Sequence, residues 1–553
     1  MPFISRASFL KWLLALSSYG LIFLTGLFNF SWNISDHDDG HTIAYHVFGR
    51  NSELQRVYGE YDSMSDALLS LLPQDYYCVF GAMMLSTFIA SFFVIYLLKK
   101  IAFQITKMQP WIIDLAAIAF LLAMPEFLYM SFTFKTVIIS LAFILCTYYV
   151  VLTIYQVKYS IGRVLISSLI FGFAVSLRWN HLAFGLAIFV DLVYNLSKIE
   201  GFKSALIKAI TWGSVSFLSA LVWIFISGYS PKAFVETILW GTNYMGSTDF
   251  QLIARIGDAS LFLLPFSLLA ISLGLWFSIR AKSRNWQVVL LLLSSLVPYL
   301  ILGLAPSFKY LSLLWPIFFI LFVQMFSLIE HFNRKPKLVC VSLALIILAP
   351  WLIGIQIDIP TSNWGPGFDV RKSVSTKTDK LRLDDRFKIS NLRIVTKAGI
   401  ALPTSEGMRP LLGHFYTLFN GELKYLDTKL NYEVDSILGL ASKSKSVIWV
   451  DRISPYLLAH LAKGKFMPDR SWNSREVYTE RLFTNIYGDS ITEFRINNPK
   501  NLYEMDTIKS KYSGQTIYAL FTYTSVLNKL EYELEKEGVR IERLGALSAV
   551  ISF

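Results

Sequence analysis

Long apolar runs separated by short polar breaks dominate the first two thirds of the chain. Runs of roughly 17–25 residues, the length that crosses a bilayer as a helix, fall at about 9–31, 79–98, 111–131, 136–156, 161–177, 181–197, 206–226, 259–279, 286–304, 309–330 and 338–355. They predict a polytopic α-helical membrane protein of about 11 transmembrane helices. The first run is too long for a signal-peptide core, and no small-residue cleavage site follows it, so it reads as a retained span. Past residue 356 the pattern changes to short alternating stretches. Strands are expected at 391–397, 446–450, 516–523, 539–543 and 547–553, with helices at 455–462 and 525–537. Strands and helices in alternation predict a small α/β domain.

The polar breaks divide the chain further. Residues 1–355 form a transmembrane module, 356–385 a linker rich in Pro and charge, and 386–553 the C-terminal α/β domain. Two interspan loops are long enough to be functional elements rather than connectors. The first, 32–78, carries Ile43, Val47 and Leu54 near helical spacing. It then carries Met64, Ala67, Leu68 and Leu71 after an Asp62-Ser63 cap and before Pro73, which predicts two short interfacial helices. The second, 227–258, combines Gly241 and Gly246 with the aromatic faces of Trp240, Tyr244 and Phe250.

Charge sets the orientation. Lys99, Lys100 and Lys107, then Lys158 and Arg163, Lys198, Lys203 and Lys208, Arg280, Lys282 and Arg284, and Arg334, Lys335 and Lys337 occupy alternate breaks, the pattern of cytoplasmic loops. The N-terminus is therefore expected in the cytoplasm. The 32–78 loop and the C-terminal domain are expected on the periplasmic or extracellular side of the cytoplasmic membrane. The net charge of +12 is a topology signal and gives no reason to expect nucleic acid. Hydrophobic residues make up 54% of the chain, far from the balance of a wholly soluble protein. Cys78, Cys146 and Cys340 lie in or beside the apolar runs and suggest neither a disulfide framework nor a zinc site.

The chemistry concentrates just after the first span, in Ser35-Asp36-His37-Asp38-Asp39-Gly40-His41. Three carboxylates and two imidazoles in seven residues at a membrane boundary are costly unless they bind a cation, take up a proton or face a substrate. A solvated acidic loop is the plain alternative. On the same expected face lie Glu126, Lys135 and the turn Arg178-Trp179-Asn180-His181; ionisable groups at that depth usually line a cavity or snorkel to the headgroups. The runs themselves read as nearly free of central charges. Ala305-Pro306-Ser307-Phe308-Lys309-Tyr310, followed by Leu314-Trp315-Pro316, places a lysine and a tyrosine where they could meet an anion such as a lipid phosphate.

A long first outward loop with paired acidic residues, many further spans, a late Lys-Tyr and a soluble outward domain together resemble the GT-C glycosyltransferases, integral membrane enzymes that use lipid-phosphate-linked sugars. Asp38-Asp39-Gly40-His41 resembles the Asp-Asp-Gly-aromatic start of that loop in the arabinofuranosyltransferase branch, with His41 in place of the aromatic. Lys309-Tyr310…Pro316 is similar to a basic-Tyr…Pro pattern of aminoarabinose and mannosyl transferases. The resemblance implies sugar transfer from a polyprenyl-phosphate donor to a glycan, glycolipid or protein hydroxyl, with inversion.

Such a reaction needs a base for the acceptor proton and positive charge for the departing phosphate. Paired carboxylates raise one another's pKa, which makes Asp38 or Asp39 the base, with Asp39 favoured because Gly40 leaves it open. Lys309, Arg178, Arg56 and Tyr310 are the phosphate-binding set, and His41, His181, Trp240 and Tyr244 the further substrate contacts. No cofactor is required; Asp36, His37 and His41 leave a divalent cation site open. A transporter or flippase for a lipid-linked glycan, or a glycan polymerase or ligase, is the alternative. A transporter is expected to carry mid-span charges and internal repeats.

Overall fold

The computed structural model describes residues 6–30, 32, 42–43, 46–47, 63–132, 136–154, 161–227 and 315–326 of the membrane part. Beyond 353 it describes the helix and strands given below, with 463–464, 510, 512–516, 527, 531–532, 534–536, 538–539 and 544–545.

The membrane part is a helical bundle. Its described helices are α1 (Arg6–Asn29), α2 (Ser63–Leu69), α3 (Tyr76–Thr106), α4 (Pro110–Ala123), α5 (Pro125–Met130), α6 (Thr136–Ile154), α7 (Ile161–Leu177), α8 (Ala183–Glu200), α9 (Phe202–Ile226) and α10 (Trp315–Phe326), with a 3-10 turn at Trp179–Leu182. Among the described residues, four helices are long and apolar enough to cross a membrane: α1, α3, α6 and α9. The exposed large side chains of α1 and α9, including Phe9, Leu13, Phe217 and Phe225, form apolar outer faces. Lipid would cover such faces at no hydrophobic penalty.

Local chemistry explains the boundaries. Asp75 starts α3, its Oδ1 accepting from the backbone N–H of Tyr77 at 3.0 Å and of Cys78 at 3.1 Å. Lys107 ends that helix in the left-handed region at φ 56°. The helix thus reaches 31 residues and carries Lys99 and Lys100 on its body, where the apolar run alone placed them in a loop. The expected third span is broken at Met124, before Pro125 opens α5, because proline has no N–H to continue the ladder. The expected sixth span begins at Ala183, so Arg178 to Leu182 lie between helices. The runs at 259–279 and 286–304 lie outside the described residues, whereas the end of the 338–355 run, Gly354 and Ile355, is strand.

Packing is closest where small residues meet. A Cβ on Gly172 of α7 would lie 2.5 Å from Ser219 Cβ and 2.7 Å from the Ala220 backbone nitrogen, both on α9, so the bare glycine permits this approach. Lys99 joins three helices: its Nζ lies 3.1 Å from Asp114 Oδ1 on α4, donates to the Ala15 carbonyl of α1 at 3.0 Å and stands 4.5 Å above the Tyr19 ring.

Thr42–Ile43 and His46–Val47 are helical, with Ile43 and Val47 buried. The second short helix is α2, which buries Met64 and Leu69 while Leu68 and Leu71 stay exposed.

The C-terminal part contains β1 (Gly354–Ile357), β2 (Leu392–Val395), β3 (Ala401–Thr404), β4 (Gly407–Pro410), α11 (Glu422–Ala441), β5 (Val447–Val450), β6 (Met467–Pro468), β7 (Tyr478–Thr484), β8 (Ser490–Ile496), β9 (Ile517–Leu520), β10 (Arg540–Arg543) and β11 (Ser548–Ser552). Among the described residues, seven strands form one sheet in the order β10-β11-β9-β5-β8-β7-β6. Only β5 runs parallel to its neighbours β8 and β9; the other pairs are antiparallel. Val447, Trp449, Ile517, Ala519, Ala549 and Ile551 pack with Leu527 and Leu534 into its core. Glu433 of α11 is buried and accepts from Ser548 Oγ at 3.0 Å. β1 pairs with β2 across the expected linker. The expected helix at 455–462 lies outside the described residues.

Candidate active site

Of the expected site residues, Arg178 and His181 are described together with their surroundings. Asp36, His37, Asp38, Asp39, His41, Arg56, Trp240, Tyr244, Lys309 and Tyr310 lie outside the described residues, as does Lys135. Glu126 falls on α5.

Arg178 and His181 bracket the turn after α7. The last turn of α7 continues into it, the Arg178 N–H donating to the Ala174 carbonyl at 3.1 Å and the His181 N–H to the Arg178 carbonyl at 3.2 Å. Two polar side chains on α6 receive this turn. Arg178 Nη1 donates to Thr136 Oγ1 at 3.0 Å, and Ser140 Oγ lies 2.5 Å from His181 Nδ1. Thr136 and Ser140 are four positions apart, hence on one helix face. Ser140, Thr136 and His181 are all buried.

Ser140 Oγ also donates to the Ala174 carbonyl at 2.8 Å. A hydroxyl has one proton, and the carbonyl can only accept. Both contacts are hydrogen bonds only when His181 carries a proton on Nδ1 and donates it to Ser140. Burial first, and the Arg178 guanidinium second, pull the imidazole pKa down to about 3. At neutral pH the ring is therefore uncharged, and Nε2 is a bare lone pair. That atom is buried and has no hydrogen-bond partner among the described residues. The Phe184 ring stands edge-on to the imidazole, 6.1 Å between centroids.

Two further segments converge on this end of the bundle. Ile43 and Val47 belong to a buried cluster with Leu69, Tyr76, Val79, Phe80, Met83 and Met84 at the start of α3, and Ile139 of α6 packs against it. Ile139 precedes Ser140 in α6, so the cluster that includes the chain just past Asp38-Asp39-Gly40-His41 borders the start of the helix that holds His181. Trp315, at the start of α10 and five positions after Tyr310, packs edge-on against Phe127 of α5 at 5.0 Å. α5 ends at Met130, six positions before α6 begins. The starts of α3, α6 and α10 and the end of α7 thus share one end of the bundle.

Three residues escaped the sequence reading. Thr136 and Ser140 sit inside an apolar run, and Asp191 is the correction to a bundle nearly free of central charges. It occupies the ninth position of the 18-residue α8, is fully buried, and accepts from Asn195 Nδ2 at 2.9 Å. Lys99 and Asp114 also lie within helices. Among the described residues, no group of three or more His, Cys, Asp or Glu side chains could hold a metal ion; the Asp36, His37 and His41 set lies outside them.

This bundle, with a sheet after it, has the fold of solved ArnT structures, and its long apolar helices are those of a multi-pass membrane protein. Among solved structures, it is similar to ArnT from Cupriavidus metallidurans in the apo state, with a TM-score of 0.53 at 12% identity, covering 99% of this chain and 98% of that one. It is similar also to the same protein bound to undecaprenyl phosphate, with a TM-score of 0.51 at 11% identity and the same coverage. Neither a protein-family model nor a curated protein matches the sequence.

Proposed function

We propose that the protein is a membrane glycosyltransferase that moves a sugar from a polyprenyl-phosphate donor to a hydroxyl of a surface glycan, glycolipid or protein at the outer face of the cytoplasmic membrane. The observation that carries this reading is the convergence of three segments at one end of the bundle: the flank of the acidic loop, the Arg178 turn and the start of α10. The similarity in fold to a protein crystallised with undecaprenyl phosphate supports a lipid-phosphate donor.

Chain reach is consistent with it. Asp39 is four residues from Ile43, a span of at most about 14 Å, and Lys309 is six from Trp315, at most about 21 Å. In the proposed reaction the acceptor oxygen bonds to the anomeric carbon as the bond from that carbon to the phosphate oxygen breaks. The acceptor proton passes to Asp39 or Asp38, and the polyprenyl phosphate departs with the bonding electrons. Lys309, Arg178, Arg56 and Tyr310 hold its charge, and His41, His181, Trp240 and Tyr244 bind the substrate. Attack opposite the leaving group inverts the anomeric centre. Asp36, His37 and His41 have donor types that suit a divalent cation, but no step above needs one.

Asp191 is the observation that favours transport, because a carboxylate in mid-helix marks many ion pathways. Its bond to Asn195 in the same helix gives it a structural partner instead. Mass spectrometry of surface glycans and glycolipids separates the two. Cells lacking the protein should lose one sugar, restored by the native chain and not by the Asp38→Asn, Asp39→Asn double variant. Restoration by both chains would put transport ahead.

A further inference from the structure

Resting on the glycosyltransferase reading, we propose that His181 Nε2 accepts a hydrogen bond from a substrate hydroxyl, and that Ser140 is the positioning residue that keeps this nitrogen unprotonated. Three observations meet here. The Ser140 proton is committed to the Ala174 carbonyl, which leaves Nδ1–H as the donor to Ser140. The opposite nitrogen is buried with no partner among the described residues, a state that costs stability unless something supplies the bond. The same turn carries Arg178, whose guanidinium reaches back to Thr136.

A cation and an acceptor lone pair three residues apart recognise different parts of one molecule. The guanidinium suits a phosphate oxygen, and the imidazole suits a hydroxyl and repels a second anion. A sugar linked to phosphate carries both groups. Thr136 and Ser140 on a single face of α6 fix their separation. His181 accepts a hydrogen bond and takes no proton, so it orients the sugar rather than replacing the carboxylate base.

Asparagine and alanine dissect the arrangement. His181→Asn keeps an N–H donor where Nδ1–H stands and removes Nε2. Ser140→Ala frees the tautomer, and Ser140→Thr returns the hydroxyl. Each full-length variant is produced in cells lacking the native protein, and the surface sugar is quantified by mass spectrometry at matched protein levels. His181→Asn is expected to lower product about tenfold, the loss of one oriented hydrogen bond in the transition state. Ser140→Ala is expected to lower it severalfold, with recovery in Ser140→Thr.

The spectroscopic counterpart uses full-length protein with ¹⁵N-labelled histidine in nanodiscs of phosphatidylethanolamine and phosphatidylglycerol. The resonance missing from His181→Asn should report a protonated Nδ1 and an unprotonated Nε2 at pH 7, and Ser140→Ala should abolish that preference. Product at the native level from His181→Asn, or a protonated Nε2 in the native protein, overturns the proposal. Binding of undecaprenyl phosphate as probe separates the two levels of argument. Native protein and His181→Asn should bind it alike, whereas no binding to the native protein sinks the glycosyltransferase reading itself.

Discussion

Replacing Lys99 by Met tests what holds three helices of the bundle together. The ammonium and the Asp114 carboxylate are 3.1 Å apart, with only 12% and 16% of their side chains exposed. At that separation, and an effective dielectric of about 20, their attraction is about 5 kcal/mol, most of which offsets the desolvation of the two ions. Methionine keeps the length and apolar stem of lysine, so the substitution removes charge more than packing. It leaves the Asp114 carboxylate without its described partner, which is expected to cost about 3–5 kcal/mol. Asp114→Asn should cost less, because Lys99 retains the Ala15 carbonyl and the Tyr19 ring. The double variant should be more stable than Lys99→Met alone, since no buried charge remains unpaired. Thermal unfolding of all four proteins in one detergent, followed by tryptophan fluorescence, gives the cycle. A coupling below about 1 kcal/mol, with the single effects adding, would refute the view that this pair is a shielded staple and make it an ordinary surface ion pair.

Two further outcomes follow from the packing and the buried imidazole. Gly172→Ala should lower the unfolding temperature by forcing α7 from α9, an overpacking cost of about 1–3 kcal/mol, partly relieved by Ser219→Gly in the same protein. His181 should make stability fall on acidification: the unfolded imidazole takes a proton near pH 6.5 and the folded one only near 3. The unfolded state therefore binds more protons in between, and its population should rise up to about tenfold per pH unit below 6.5. Thermal unfolding at pH 7 and pH 5 should show this slope weakened in His181→Asn, and an unchanged slope would refute the assignment.

The helices were legible where apolar runs meet a clear stop. The expected 161–177 span matches α7 residue for residue, and the strands at 446–450, 539–543 and 547–553 fall on β5, β10 and β11. The length of α3 was not legible from hydropathy, because Lys99 and Lys100 look like a loop until Asp114 is seen to face one of them. α11 was missed because its sequence is mostly polar and shows no long apolar run. The contacts that α6 makes with Arg178 and His181 were hidden for a different reason. A serine or threonine in a buried helix commonly donates to a carbonyl one turn back, as Thr147 does to Phe143 and Ser168 to Val164. Ser140 instead reaches Ala174, 34 residues away, and no local pattern distinguishes it from the others. Arg178 and His181 stand out as candidates in the sequence because charge between two apolar runs is conspicuous.

The position of β11 has a bearing on biosynthesis. Residues 548–552 lie inside the sheet, between β10 and β9, rather than on its rim. Strand β5, made about a hundred residues earlier, finds its two neighbours only after residues 490–496 and 517–520 have been synthesised. The helices from 6 to 226 find most of their partners within that segment, as α7 does in α9 and α3 in α6. During translation the bundle can therefore settle first, while the tail stays an unfinished sheet with open edges that a chaperone would recognise. A ribosome stalled even ten codons short of residue 552 would leave the membrane part assembled and this sheet unclosed.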